Sequence, residues 1–394
     1  MITSWPYWLF LATAVITFWK LPAGWRTRLL VVAWVGCLAT CRLFETLWLV
    51  LVACSAHALL RRPALAAGIG CLALIVGISV LLVWFKAPPS LAARVAAPED
   101  PVAAIAGPLG FSYFAFKLIH VVVEVRRRTV TVPGLGEFLN YLFFVPMFTA
   151  GPIERLDRFL THRDSTWQRA LWVEGGTRIV HGLIKKLFLA ESACRQGLAL
   201  LGEGHEGFQL LEQPVANVWL YVAISYLRIY FDFSAYSDIA IGTARLFGYR
   251  LMENFDWPIF AWSPSDYWRR WHISLSAWCQ SYAYMPVLGW TRNPFIGTFC
   301  AFLIMGQWHL VGWNRAVWTL YVTLGLSAYM VWNRRMGRPR PGSFRAGWVW
   351  RCVSVGLTQV LILGAVAFIL HGELQPWHES LRILGRMSGW TFNR

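Results

Sequence analysis

The sequence predicts an all-α, polytopic membrane protein, and three observations carry that prediction. Of its 394 residues, 57% are hydrophobic and only 14% are charged, against about 25% charged in a typical soluble chain. The 24 tryptophans and 25 phenylalanines suit interfacial belts and a bulky interior. Apolar runs of about the length needed to cross a bilayer recur along the chain, divided by basic loops. No polar stretch is long enough to fold as a separate soluble domain, so a single integral membrane domain over residues 1–394 is expected.

The elements follow in order. Trp5 to Trp19 is apolar, with Lys20, Arg26 and Arg28 after it and no charge before it. A cleavable signal peptide would carry its charge first, and the positive-inside rule sets the N-terminus outside the cytoplasm. Leu29 to Cys41 and Leu47 to Leu60 form a pair that returns to Arg61-Arg62, and Leu65 to Phe85 goes out again. Pro88 to Pro101, with Glu99 and Asp100, suits an outer loop, and Ile105 to Val123 returns to Arg126-Arg127-Arg128. Phe138 to Gly151 is apolar but short and ends in Gly151-Pro152. That pattern predicts a re-entrant or broken helix, tolerated only where protein or water lines it.

Arg155 to Arg169 is mixed in charge and expected in the cytoplasm, Leu187 to Leu201 leads outward, and Val215 to Phe233 returns. Gly248 to Trp271 is too polar to span. Phe295 to Met305, Trp313 to Trp332 and Val353 to Leu370 complete the spans, and the tail from His371 to Arg394 is expected outside as an interfacial helix. The sum is about nine to twelve transmembrane or re-entrant helices.

The net charge of +16 does not call for nucleic acid. Its arginines cluster in loops that the topology puts on one side, where orientation and anionic lipid headgroups account for them. The eight cysteines are scattered without a C-x-x-C pair and read as small core hydrophobes. There is no G-x-S-x-G elbow, no histidine followed five residues later by aspartate, and no H-E-x-x-H or close Cys/His cluster. No metal site is therefore expected. His162-Arg163-Asp164 imitates a kinase catalytic loop, but no glycine-rich phosphate loop accompanies it.

Two polar clusters remain. Tyr267-Trp268-Arg269-Arg270-Trp271-His272-Ile273-Ser274-Leu275-Ser276 and Gln307-Trp308-His309 put two histidines among aromatic and basic residues in apolar sequence. A polar group inside a membrane must be paired or used. A neutral imidazole at His309 can take the proton of an alcohol and make it a nucleophile toward an activated acyl carbonyl; a buried histidine bonded to a neighbouring helix is the plain alternative. Arg269 and Arg270 can hold an anionic group such as a donor phosphate, or anchor to headgroups beside an aromatic belt. Asp232 and Asp238, in Tyr230 to Asp238, are six residues apart and do not share a helix face. Such carboxylates pair with arginine or orient a histidine, and structural pairing is favoured over direct catalysis.

These residues carry a resemblance. The stretch YFDFSAYSDIAIGTARLFGYRLMENFDWPIFAWSPSDYWRRWHISLS, Tyr230 to Ser276, resembles the membrane-bound O-acyltransferase family, in its bacterial alginate and polysaccharide O-acetyltransferase branch. Further blocks are Pro108 to Arg127, Phe143 to Phe159 and Leu303 to Tyr321, so the resemblance spans about 108–321. It implies that His309 is the principal catalytic histidine and His272 the second, at a position that is asparagine in many eukaryotic relatives. Arg269, Arg270, Trp308, Asp232, Asp238, Asn254 and Ser274 are then the substrate-binding candidates. It also implies a ring of helices around a central tunnel. The sequence departs from the branch at Leu310, where glycine is usual, at Cys279-Gln280-Ser281, where Arg-Asp is usual, and at Pro286-Val287-Leu288-Gly289.

The resulting expectation is an enzyme of the bacterial inner membrane in exopolysaccharide biosynthesis. It moves an acyl group, acetyl first, from a cytoplasmic thioester such as acyl-CoA toward a hydroxyl of an extracytoplasmic polysaccharide, directly or through a periplasmic acyltransferase partner. No cofactor is bound; the thioester is a substrate. D-alanyl transfer to teichoic-acid-like polymers is one alternative, and a non-catalytic transporter or flippase is another.

Overall fold

The computed structural model describes residues 5–62, 68–86, 108–204, 208–309, 311–337, 343–370 and 376–390. Among these the structure is helical, apart from an antiparallel bridge between Arg163 and Tyr249. The helices are α1 (Trp5–Lys20), α2 (Ala23–Cys41), α3 (Leu43–Leu60), α4 (Ile69–Phe85), α5 (Phe111–Arg126), α6 (Leu135–Phe143), α7 (Val145–Phe148), α8 (Leu156–Thr161), α9 (Arg169–Ile184) and α10 (Arg195–Leu200). They continue with α11 (Val215–Leu246), α12 (Pro264–Arg270), α13 (Ile273–Cys279), α14 (Met285–Thr291), α15 (Pro294–Gln307), α16 (Trp313–Met336), α17 (Trp348–Val366) and α18 (Trp377–Met387). Two of them, α3 and α17, are long and apolar enough to cross a membrane by length and composition; α4 and α15 are shorter and apolar. The outer loop expected at Pro88 to Pro101 lies outside the described residues, as does Leu310.

The chain forms two compact units. The first comprises Met1–Phe85, Val102–Gly182 and Tyr236–Glu253; the second comprises Lys86–Pro101, Leu183–Ala235 and Asn254–Arg394.

In the first unit, α1 buries Tyr7, Leu11, Ala14, Val15 and Phe18, a helical stripe. Trp34 of α2 is 1% exposed and meets Phe10, Phe144 and Phe247 edge to face. The opposite faces carry exposed Val32, Phe44, Leu51, Ile69 and Val80. Such a belt is a liability toward water and suits hydrocarbon. Helix α5 is buried almost throughout and bears Tyr113, Lys117, His120 and Glu124 on one face. Lys117 is 0% exposed, and its Nζ donates to the carbonyls of Tyr141 and Leu142 at 3.0 and 2.7 Å. Those carbonyls end α6, where the helix dipole favours a cation. The segment is broken, but earlier than at Gly151-Pro152: Phe144 leaves helical geometry, with ψ near 101°, and Pro146 lies in the first turn of α7.

Gly175 of α9 and Gly242 of α11 pack backbone to backbone; a Cβ on either would stand 2.7 or 2.6 Å from the other's carbonyl oxygen. Absence of side chains lets helices approach this closely.

Two expectations are corrected in extent. Helix α11 does not stop at Phe233 but runs to Leu246. Its polar residues do not end it, because Asp238 pairs with Arg178 at 2.6 Å. Helical structure is also continuous from Arg169 to Leu200, with a π-helical stretch at Lys185–Cys194, where only Leu187 to Leu201 was expected to be a span.

In the second unit, Leu198, Val218, Tyr226, Tyr267, Ile362 and Ile383 belong to one core cluster. The tail helix α18 packs one face against protein. Ser380 and Ile383 are fully buried, Ser380 donates to Asn314 at 3.0 Å, and Trp219 donates to the Met387 carbonyl at 2.8 Å. The amphipathic pattern of α18 thus faces protein on its apolar side.

Candidate active site

The site is built in the second unit from the ends of α12, α13 and α15. Helix α12 begins with Ser263, whose Oγ accepts the Asp266 N–H at 3.1 Å, and Pro264 fills the first helical position; this is an N-cap of ordinary kind. The helix ends at Arg270 and the chain turns at His272. There the backbone is left-handed, with φ 44° and ψ 54°, a conformation a non-glycine residue adopts at a cost of roughly 1–2 kcal/mol. Helix α13 starts immediately after. His272 is 3% exposed, with its ring edge-on to Phe233 at 4.7 Å and near Phe255 at 6.5 Å between centroids.

Asn254, fully buried, organises this turn. Its Oδ1 lies 3.1 Å from His272 Nδ1 and accepts Ser274 Oγ at 2.9 Å and Ser274 N at 3.3 Å. Its backbone carbonyl accepts the Ile273 N–H at 2.9 Å.

The second histidine arrives from α15. Asn293 Oδ1 caps that helix by accepting the Phe295 N–H at 2.9 Å. At the other end, Gly306 packs against α16, where an added Cβ would meet Thr319 Oγ1 at 2.8 Å. The loop after Gln307 is closed by that residue's amide: Oε1 accepts the Gly312 N–H at 2.9 Å and Nε2 donates to the Gly312 carbonyl at 3.3 Å. Trp308 is buried and His309 is exposed. The Trp308 ring lies 4.5 Å from that of His309 and 6.0 Å from that of His272, so one indole touches both imidazoles.

The other expected residues divide. Arg269 is 69% exposed at its side chain and stands 3.9 Å from Asp266. It lines a cavity of about 400 Å³ with Trp268, Ile273, Ser276, Gln280 and Met305. Arg270 is engaged with Asp266 at 3.0 Å and with the carbonyl and carboxylate of Asp256 at 3.3 and 3.5 Å. Asp232 pairs with Lys186 at 2.5 Å, whereas Asp238 belongs to the first unit and pairs with Arg178. His272, His309, Trp308, Asn254 and Ser274 are thus brought together within the second unit, and Asp232 of that unit is not among them. Sequence reasoning did not single out Phe233 and Phe255, which flank His272, or the bracing role of Gln307. The only signal for Phe255 is its place beside Asn254.

The model of the membrane-bound O-acyltransferase family, MBOAT, matches residues 10–356. A probable alginate O-acetylase of Azotobacter vinelandii is 36% identical over 220 residues, covering 54% of this chain and 42% of that protein. The probable alginate O-acetylase of Pseudomonas syringae pv. tomato is 32% identical over 296 residues, 73% of this chain and 52% of the relative. A teichoic acid D-alanyltransferase of Bacillus subtilis is 27% identical over 322 residues, 76% of this chain and 78% of the relative. The chain spans about half the length of the alginate O-acetylases it matches.

Proposed function

The chain belongs to the membrane-bound O-acyltransferase family, and on that premise we propose that it moves acetyl from a cytoplasmic thioester to a hydroxyl of an extracytoplasmic polysaccharide, directly or through a periplasmic partner protein. The names of the alginate O-acetylase relatives support acetyl and a polysaccharide. The family is membrane-embedded; the bacterial inner membrane, an extracytoplasmic N-terminus and a tunnel lined by the helices are parts of this proposal.

The observation that carries the reading is the imidazole of His309, an exposed residue, joined through Trp308 to the buried imidazole of His272. In the proposed reaction the acceptor hydroxyl oxygen attacks the thioester carbonyl carbon. A carbon–oxygen bond forms and the carbon–sulfur bond breaks. The hydroxyl proton passes to His309 and then to the departing thiolate, so the products are an ester and a free thiol. His272 assists by hydrogen bonding. Arg269, exposed beside a cavity, is the residue suited to a phosphate of the donor.

His309→Ala is expected to abolish transfer of label from acetyl coenzyme A while the protein accumulates in membranes as before. Undiminished transfer by that variant would reject the assignment.

D-alanyl transfer is the second reading. It is favoured by the Bacillus subtilis D-alanyltransferase, whose match extends over 78% of its length. Carrier-bound D-alanine used in preference to acetyl coenzyme A would select it.

A further inference from the structure

We infer that Asn254 is a positioning residue that fixes His272 in the tautomer with its proton on Nδ1, so that the site receives a bare Nε2 acceptor. The role given to that acceptor rests on the acyl-transfer reading above; the tautomer does not.

The Ser274 backbone N–H can only donate, and it points at one atom of the Asn254 amide at 3.3 Å. That atom must therefore be the oxygen, which only accepts. The Ser274 hydroxyl meets the same oxygen at 2.9 Å. His272 Nδ1, 3.1 Å from that oxygen, must then carry a hydrogen. A neutral imidazole has one N–H, so Nε2 keeps its lone pair.

Among the described residues, Nε2 is buried without a hydrogen-bond partner. A satisfied core histidine would use both ring nitrogens; a buried acceptor left open is uncommon and costly. The ring cannot turn away to find a partner. Phe233 stands edge-on against it, Trp308 closes another side, and the left-handed backbone at His272 sets its exit from the chain. Residues in strained conformations persist where surrounding structure holds them, commonly at functional sites. A donor group of a bound substrate other than the reacting hydroxyl, whose single proton goes to His309, satisfies Nε2.

The second titratable ring facing this pocket is His309, on the other side of Trp308. Of the neighbouring arginines, Arg270 is paired with Asp266 and Asp256, and Arg269 faces Asp266.

Two measurements on the full chain in lipid test the inference. Nitrogen-15 spectra of the histidine-labelled chain, with the His272 signal assigned by its loss in His272→Asn, read the tautomer whatever reaction the protein performs. The wild type should show a protonated Nδ1 and a bare Nε2 at His272, and Asn254→Ala should show a mixture. The opposite tautomer in the wild type, or no change in the variant, overturns the inference.

The second measurement is the rate of label transfer from acetyl coenzyme A against pH. Asn254→Ala should lower kcat by ~100-fold with little change in KM. Asn254→Asp keeps an acceptor and adds a charge, so it should recover most of the rate and move the acid limb to higher pH by about 1. If Asn254→Ala fails to accumulate, Asn254→Asp decides: a profile and rate identical to the wild type sink the proposal. Absence of transfer by the wild type would instead count against the acyl-transfer reading, and the nitrogen spectra would still settle the tautomer.

Discussion

Gln307 bonds Gly312 through both ends of its amide, at 2.9 and 3.3 Å, and so closes the short loop on which His309 stands. The pair of bonds copies the exchange between two antiparallel backbone residues. Its geometry needs a side chain that both donates and accepts.

Gln307→Glu keeps the acceptor and loses the donor, whereas Gln307→Ala loses both. The expected order of acyl-transfer rate is wild type, then Gln307→Glu, then Gln307→Ala, with the alanine variant down by ~10- to 100-fold because small displacements of a reacting group are costly. Thermal denaturation in detergent should show a loss of about 1–2 kcal/mol for the alanine variant. Equal rates in all three proteins would deny Gln307 a part in placing His309.

The left-handed turn at His272 discriminates among replacements by shape. Asparagine tolerates that backbone, and β-branched residues do not. His272→Asn should accumulate in membranes like the wild type with reduced turnover, while His272→Val should accumulate poorly. Comparing membrane abundance of the two variants checks this directly, and equal abundance would contradict it.

Lys117 joins α5 to the broken end of α6 by its bonds to Tyr141 and Leu142. Lys117→Met preserves the bulk and removes the donors, leaving two buried carbonyls short of a partner. A loss of roughly 2–3 kcal/mol is expected, since hydrogen bonds from charged groups lie in that range. The observable is the midpoint of thermal unfolding in detergent; a midpoint at the wild-type value would deny the bonds their role.

The close approach of Gly175 and Gly242 sets a steric limit. Gly242→Ala should destabilise by about 1–3 kcal/mol through overpacking. Gly36→Ala, at a glycine with open space where its Cβ would be, should be neutral. The contrast in yield of folded protein from membranes reads the difference, and parity would refute the tight contact.

Much of the helical order was legible because its cause is local. The apolar run from Trp5 to Trp19 and the short apolar segment after Phe138 announce a helix and a break, and α1, α6 and α7 follow, with the break at Phe144 rather than at Gly151-Pro152. The extent of α11 was hidden for a reason outside its own sequence: Asp238 is tolerated because Arg178, sixty residues earlier, pairs with it. Likewise Asn254 and His272 could be nominated, but not their bond, since it joins positions eighteen residues apart through a turn. Phe233 and Phe255 look like any other membrane aromatics until the turn closes around His272.

The residue that spaces the reactive loop from its neighbour has no functional group at all. Gly306 lets α15 rest on Thr319 and the Arg315 carbonyl, and His309 is only three residues further on. The height of that imidazole above α16 is therefore fixed by a missing methyl, and even an inert substitution one turn away from the chemistry would lift it out of register.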